Sequence, residues 1–173
     1  MKKLFPLLLI LMLSCSDDNN KPKSELDKLP PATQTGENTV GCLLDGKAFL
    51  PGKIFNPTNC FYQYVDGEFY FVMAFTGSLN SVLVTVSVGT QKLSLIEGGT
   101  YNLIELTDNQ AYGGYVYGTF ENYTSNVHSG ELFISKLDSE NGIVSGTFWF
   151  DIVDYEGNLR EIREGRFDME YSN

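Results

Sequence analysis

The side chains that could do chemistry are few in kind and scattered in position. The chain has one histidine, His128, in the polar stretch 122–128 just before Ser129-Gly130. A serine nucleophile normally sits on a strained turn beside its histidine, and no Gly-x-Ser-x-Gly occurs. One histidine also excludes the multi-histidine zinc sites. Carboxylates crowd the C-terminal quarter, at Asp151, Asp154, Glu156, Glu161, Glu164, Asp168 and Glu170. A facing pair separated by about 5–9 Å is what glycoside hydrolysis needs, but acids this numerous read as solvated strand edges and turns. Asp138-Ser-Glu-Asn-Gly142 places oxygen ligands around a glycine bend as a calcium loop does, without the distal bidentate acid. A hairpin turn explains it equally well. No catalytic residue, metal site or cofactor is expected. Tyrosine is the remaining candidate: Tyr62, Tyr64 and Tyr70 fall near one hairpin, and Tyr112, Tyr115, Tyr117 and Tyr123 near another. The second group is the candidate ligand site, because tyrosine offers a sugar an apolar face and a polar tip; it is also an ordinary strand residue.

The strongest signal lies at the N-terminus. Met1-Lys2-Lys3 is a short basic region, followed by ten apolar residues from Leu4 to Leu13 and then Ser14-Cys15. Ten residues are too few to span a bilayer, which takes about 20 in a helix. The pattern resembles a bacterial lipobox, with Met12 and Leu13 bulkier than is usual there. The resemblance implies cleavage before Cys15 and lipidation of its thiol, with palmitate among the acyl chains. Ser16-Asp17-Asp18-Asn19-Asn20 resembles the acidic signal that sends Bacteroidetes lipoproteins to the cell surface. Two or more acyl chains anchor stably where one does not.

Removal of residues 1–14 would leave Cys42 and Cys60 as an even pair. In an exported chain such a pair is expected to form a disulfide, worth roughly 3 kcal/mol for a loop of this length on the chain-entropy model; two buried free thiols are the alternative. Cleavage would also remove Lys2 and Lys3, leaving 10 basic against 22 acidic side chains. So acidic a domain is repelled by phosphate backbones and anionic headgroups. No nucleic acid partner is expected, and membrane attachment falls to the lipid.

These groups must be positioned by strands. Residues 15–38 hold Pro22, Pro30 and Pro31 among polar side chains and read as a lipidated cysteine and disordered linker. From Thr39 the apolar period is 2: Phe69, Phe71, Met73 and Phe75; Val82, Val84, Val86 and Val88; Phe148, Phe150 and Ile152. Asp45-Gly46, Asp66-Gly67, Gly98-Gly99, Asn141-Gly142 and Glu156-Gly157-Asn158 supply hairpin turns. About ten strands follow: 40–44, 47–50, 59–65, 68–75, 82–89, 100–106, 113–121, 129–137, 143–153 and 160–171. Residues 39–173 are therefore expected to be one all-β domain, an antiparallel meander forming a β-sandwich or partly closed β-barrel.

Within it, Gly41 to Phe49, Glu97-Gly-Gly-Thr-Tyr101, Ser129 to Ile134, Ile143-Val-Ser-Gly-Thr-Phe148 and Glu164-Gly-Arg-Phe-Asp168 follow one another. Together they resemble the uncharacterised β-domain lipoproteins of Bacteroidetes over about residues 39–171. The resemblance implies an all-β outer-membrane lipoprotein, lipid-anchored and facing the cell surface or periplasm, and carries over no catalytic residue. The expected role is a non-enzymatic binding module for a glycan or an envelope protein. The alternatives are an assembly subunit of an envelope complex docking by a strand edge, and a carboxylate-based glycan hydrolase.

Overall fold

The computed structural model describes residues 22–53 and 56–173; the leader, Cys15 and the acidic stretch after it lie outside the described residues. The described chain is all-β, with eleven strands: β1 (Thr39–Leu44), β2 (Lys47–Phe49), β3 (Thr58–Val65), β4 (Glu68–Leu79), β5 (Val82–Gln91), β6 (Thr100–Leu103), β7 (Gln110–Tyr117), β8 (Phe120–Tyr123), β9 (Gly130–Asp138), β10 (Ile143–Val153) and β11 (Leu159–Glu170). They form one sheet in the order β2-β1-β11-β10-β9-β6-β7-β5-β4-β3, with β8 added beside β7. Among the described residues the strand pairings are antiparallel except for a single parallel register between Leu103 and Ala111, and an isolated parallel bridge joins Phe61 to Ser172. The expected 113–121 strand is instead two strands. Gly118, at φ 62°, turns the chain back so that β8 pairs with β7.

The sheet curls round one core. Phe71, Met73 and Phe75 of β4, Val84, Val86 and Val88 of β5, and Phe148, Phe150 and Ile152 of β10 are all buried in it. Alternation puts these sets inward because successive strand side chains face opposite ways. The ends of the sheet meet at isolated points: the Gly52 N–H donates to Thr76 O at 2.8 Å, and Phe61 bridges to Ser172. Pairing is not continuous there, so the sheet does not close into a barrel. Asp45-Gly46 and Asp66-Gly67 adopt the paired positive φ of type I′ hairpins. Asn80-Ser81 does the same without glycine.

The β10–β11 pair is locked by reciprocal exchange. Ser145 faces Asp168, Gly146 faces Phe167 and Phe148 faces Gly165. A Cβ on Gly146 would strike the Phe167 ring, and one on Gly165 the Phe148 ring. Each glycine thus makes room for the ring opposite. The Ser-Gly-Thr-Phe and Gly-Arg-Phe-Asp pieces are one cross-strand packing unit.

Two expectations are corrected here. Residues 22–38 are not an extended linker: Leu29 is buried, Leu26–Lys28 form a single 3-10 turn, and Glu25 accepts the Ala48 N–H of edge strand β2 at 2.9 Å. The Asp168 carboxylate accepts the N–H groups of Thr35, Gly36 and Glu37 at 3.0, 2.9 and 3.2 Å and the Ser145 hydroxyl at 2.7 Å. Polar composition alone does not reveal this docking, because one buried acid over 130 residues away supplies the partner.

The Cys42–Cys60 disulfide is not formed either. Both cysteines are free and buried. Cys42 pairs with Phe49 on β2 and Cys60 with Met73 on β4, so they lie on strands that are not neighbours in the ladder and pack as small apolar side chains. Burial pushes both thiols up, Cys60 to about 12, which removes the reactive thiolate at neutral pH. Both are expected to resist alkylation until denaturant is added, and dithiothreitol to leave the melting temperature unchanged. Mass spectrometry of labelled native and unfolded protein, with a paired melt, checks this.

Candidate functional site

The four candidate tyrosines do not form one platform. Along β7, Tyr115 and Tyr117 face inward and Tyr112 faces out, as alternation requires. Tyr115 is wholly buried, and Tyr117 is half-buried. Tyr112 is buried on the outer face, edge-on to Tyr123 at 5.7 Å, and burial raises its phenol to about 12. Tyr123 is partly exposed and donates to Glu121 at 3.3 Å. Of the four, only Tyr117 lines the cavity at the Asp45–Asp154 end.

That cavity, of about 540 Å³, opens at the end of the sheet where the β1–β2, β4–β5 and β10–β11 turns meet. Its polar wall grows out of the last of these turns. Asp154, directly after β10, accepts the Glu156 and Asn158 N–H groups at 3.0 and 2.9 Å, folding the chain back into β11. Its second oxygen takes Arg160 Nε at 2.9 Å. Arg160 Nη1 reaches on to Asp45 at 2.9 Å, and Asp45 also accepts the Glu161 N–H at 3.0 Å. One guanidinium therefore ties the β1–β2 turn to the β10–β11 turn. Among the described residues its Nη2 has no partner. The Asp154 side chain is 2% exposed. Burial acts to raise its carboxyl, but the hydrogen bonds from Asn158, Arg160 and Glu156 outweigh it and hold the group below the usual carboxylate range.

The other wall is aromatic. Tyr155, in the turn, stacks on Phe120 at 4.3 Å between centroids and 11° between planes, and on Tyr117 at 5.9 Å. Phe120 does not line the cavity and backs Tyr155 from outside it. Phe120 and Tyr155 are about half exposed. Leu79 and Phe49 complete the apolar side. One rung further in from Tyr117, the Tyr115 hydroxyl is buried without a hydrogen-bond partner, in the field of Arg160, Asp154 and Asp45.

Asp154, Asp45 and Glu156 stand out in the sequence as acids and turn residues, whereas no local pattern marks Arg160, Tyr155 or Phe120. The usable signal was Asp154-Tyr-Glu-Gly-Asn158, an acid placed to accept the N–H groups two and four residues on. The other candidates stay apart. His128 is half-buried in its loop, where its N–H donates to Ser125. Asp138 caps its own hairpin through Glu140 and Asn141. Among the described residues no group of three or more His, Cys, Asp or Glu side chains is placed to hold a metal ion.

Compared with models of protein families, with curated proteins and with solved structures, the chain finds no match.

Proposed function

We propose that this protein is a lipid-anchored envelope module that binds a ligand at the Asp45–Asp154 end and performs no catalysis on it. The observation that carries the reading is the cavity itself. A concave site with one aromatic wall and a few convergent polar groups is the usual form of a small-ligand site, and this one lies where three hairpin turns meet. A hydrolase would need an acid that keeps its proton at neutral pH. The buried acid here, Asp154, is instead held as an anion by three neighbours. Docking by strand addition also has less support, since Glu25 occupies the Ala48 N–H of β2 and Ser172 that of Tyr62 on β3.

Anchoring follows from the leader and Cys15, and the acidic residues after Cys15 favour the outer membrane and the cell surface. The chain is docked from Glu25 onward. Lys23 follows Cys15 by eight residues, a separation of at most about 30 Å even at full extension. The domain thus works close to the membrane, facing a glycan or another envelope component. The test is protease shaving of intact cells expressing wild type and Cys15→Ala. Release of the wild-type domain from intact cells, with the variant gone from the membrane fraction, is the expected result. Protection of the wild-type domain until the outer membrane is breached would place it in the periplasm. Membrane retention of the variant would overturn the lipid anchor.

A further inference from the structure

The geometry points to a neutral saccharide as the ligand of the Asp45–Asp154 cavity, with a pyranose ring lying on the Tyr155–Tyr117 wall and its hydroxyls on Asp45 and Arg160; this rests on the binding-module reading above. Two features of the cavity select that class.

The first is the aromatic wall. Tyr155 lies nearly parallel to Phe120 behind it and 26° from Tyr117. The rings offer a face rather than a cage, and a flat apolar face suits the C–H side of a sugar ring. A cation is best held by rings converging on it from several sides.

The second is charge. Asp45, Asp154 and Glu156 line the cavity with only Lys47 and Arg160 against them. Two carboxylates already occupy Arg160 Nε and Nη1. An anionic ligand would meet a net negative rim and an arginine whose charge is largely answered. A neutral polyol meets an arginine whose Nη2 has no partner among the described residues, beside an Asp45 carboxylate with acceptor capacity to spare. Adjacent donor and acceptor suit the vicinal hydroxyls of a sugar.

The volume, about 540 Å³, lies inside the range of about 300–1,000 Å³ typical of small-ligand sites.

The experiment is an array of neutral and uronate- or sialate-bearing oligosaccharides probed with the full chain in detergent, followed by titration calorimetry with the best neutral glycan. Wild type is expected to bind neutral glycans. Tyr155→Ala, at a half-exposed turn position where the fold should survive, is expected to weaken binding by about tenfold or more. Tyr155→Trp is expected to retain it. Equal melting temperatures of the three proteins would separate this from misfolding. Wild type that binds no neutral glycan, or only acidic ones, overturns the inference. Binding unchanged in Tyr155→Ala also overturns it, by moving the ligand elsewhere on the module. If neutral glycans fail and tetramethylammonium binds in a Tyr155-dependent way, the cavity remains a ligand site of another class. The binding-module reading then survives while the saccharide is lost.

Discussion

Asp168→Asn is expected to destabilise the domain by about 3 kcal/mol and to expose residues 22–38 to protease. The carboxylate is 1% exposed and answers three consecutive backbone N–H groups as well as the Ser145 hydroxyl. An amide of the same shape keeps one oxygen and turns an N–H₂ toward groups that are themselves donors. Buried donors left without acceptors cost about 1–3 kcal/mol each, and hydrogen bonds to a charged group are worth about 1.5–3 kcal/mol each. Urea unfolding at neutral pH measures the loss. Faster tryptic cleavage at Lys28 would report release of the docked segment.

The same residue sets an acid dependence. Burial works to raise its carboxyl, but the Thr33 hydroxyl beside it and the donors on Thr35, Ser145 and Gly36 prevail, lowering it from 3.8 to about 2. A carboxyl depressed on folding stabilises above its unfolded value and loses that contribution as pH falls through its folded one. The window is therefore pH 4 down to about 2, and the amount about 2 kcal/mol. Asp154, also lowered, acts with the same sign. Wild type should lose stability across that window, and Asp168→Asn should show a shallower slope. An equal slope in both would move the acid sensitivity away from the clamp.

Gly130→Ala is expected to cost about 3 kcal/mol or more, or to prevent folding. Gly130 sits opposite Phe150 in the β9–β10 ladder. A Cβ there would overlap the Trp149 carbonyl oxygen and the Phe150 Cα and Cβ. Two of these three are backbone atoms and cannot swing aside, so the strands would have to separate and reopen the core around Phe150. Overpacking typically costs about 1–3 kcal/mol, and more when the backbone must move. Gly52→Ala is the control. Its Cβ would come no nearer than 3.5 Å to the Thr76 carbonyl oxygen, an ordinary contact, and the change should stay within about 0.5 kcal/mol. Thermal melts of the three proteins decide it.

The candidate site was far less legible than the fold. Tyr112, Tyr115, Tyr117 and Tyr123 looked like one group because they are close in sequence. Strand alternation sends two in and two out, and only Tyr117 reaches the cavity. The working wall is completed by Tyr155, 38 residues from Tyr117 along the chain, which no local pattern could join to it. Cys42 and Cys60 show the same limit. An even count suggests a bond, but strand order put them on separate ladders within one core.

Read alone, the sequence determined the all-β class, the inward sets on β4, β5 and β10 and the Asp-Gly hairpins. Alternation and the positive φ of Asx-Gly turns act between residues adjacent in the chain, so these are local consequences of residue type. Only the tertiary structure decided that residues 22–38 belong to the domain, that both cysteines stay as thiols, and that Arg160 ties Asp45 to Asp154 at a cavity that Tyr155 also lines. Each depends on strands from distant parts of the chain becoming neighbours, and the close packing of one shared core sets which ones do.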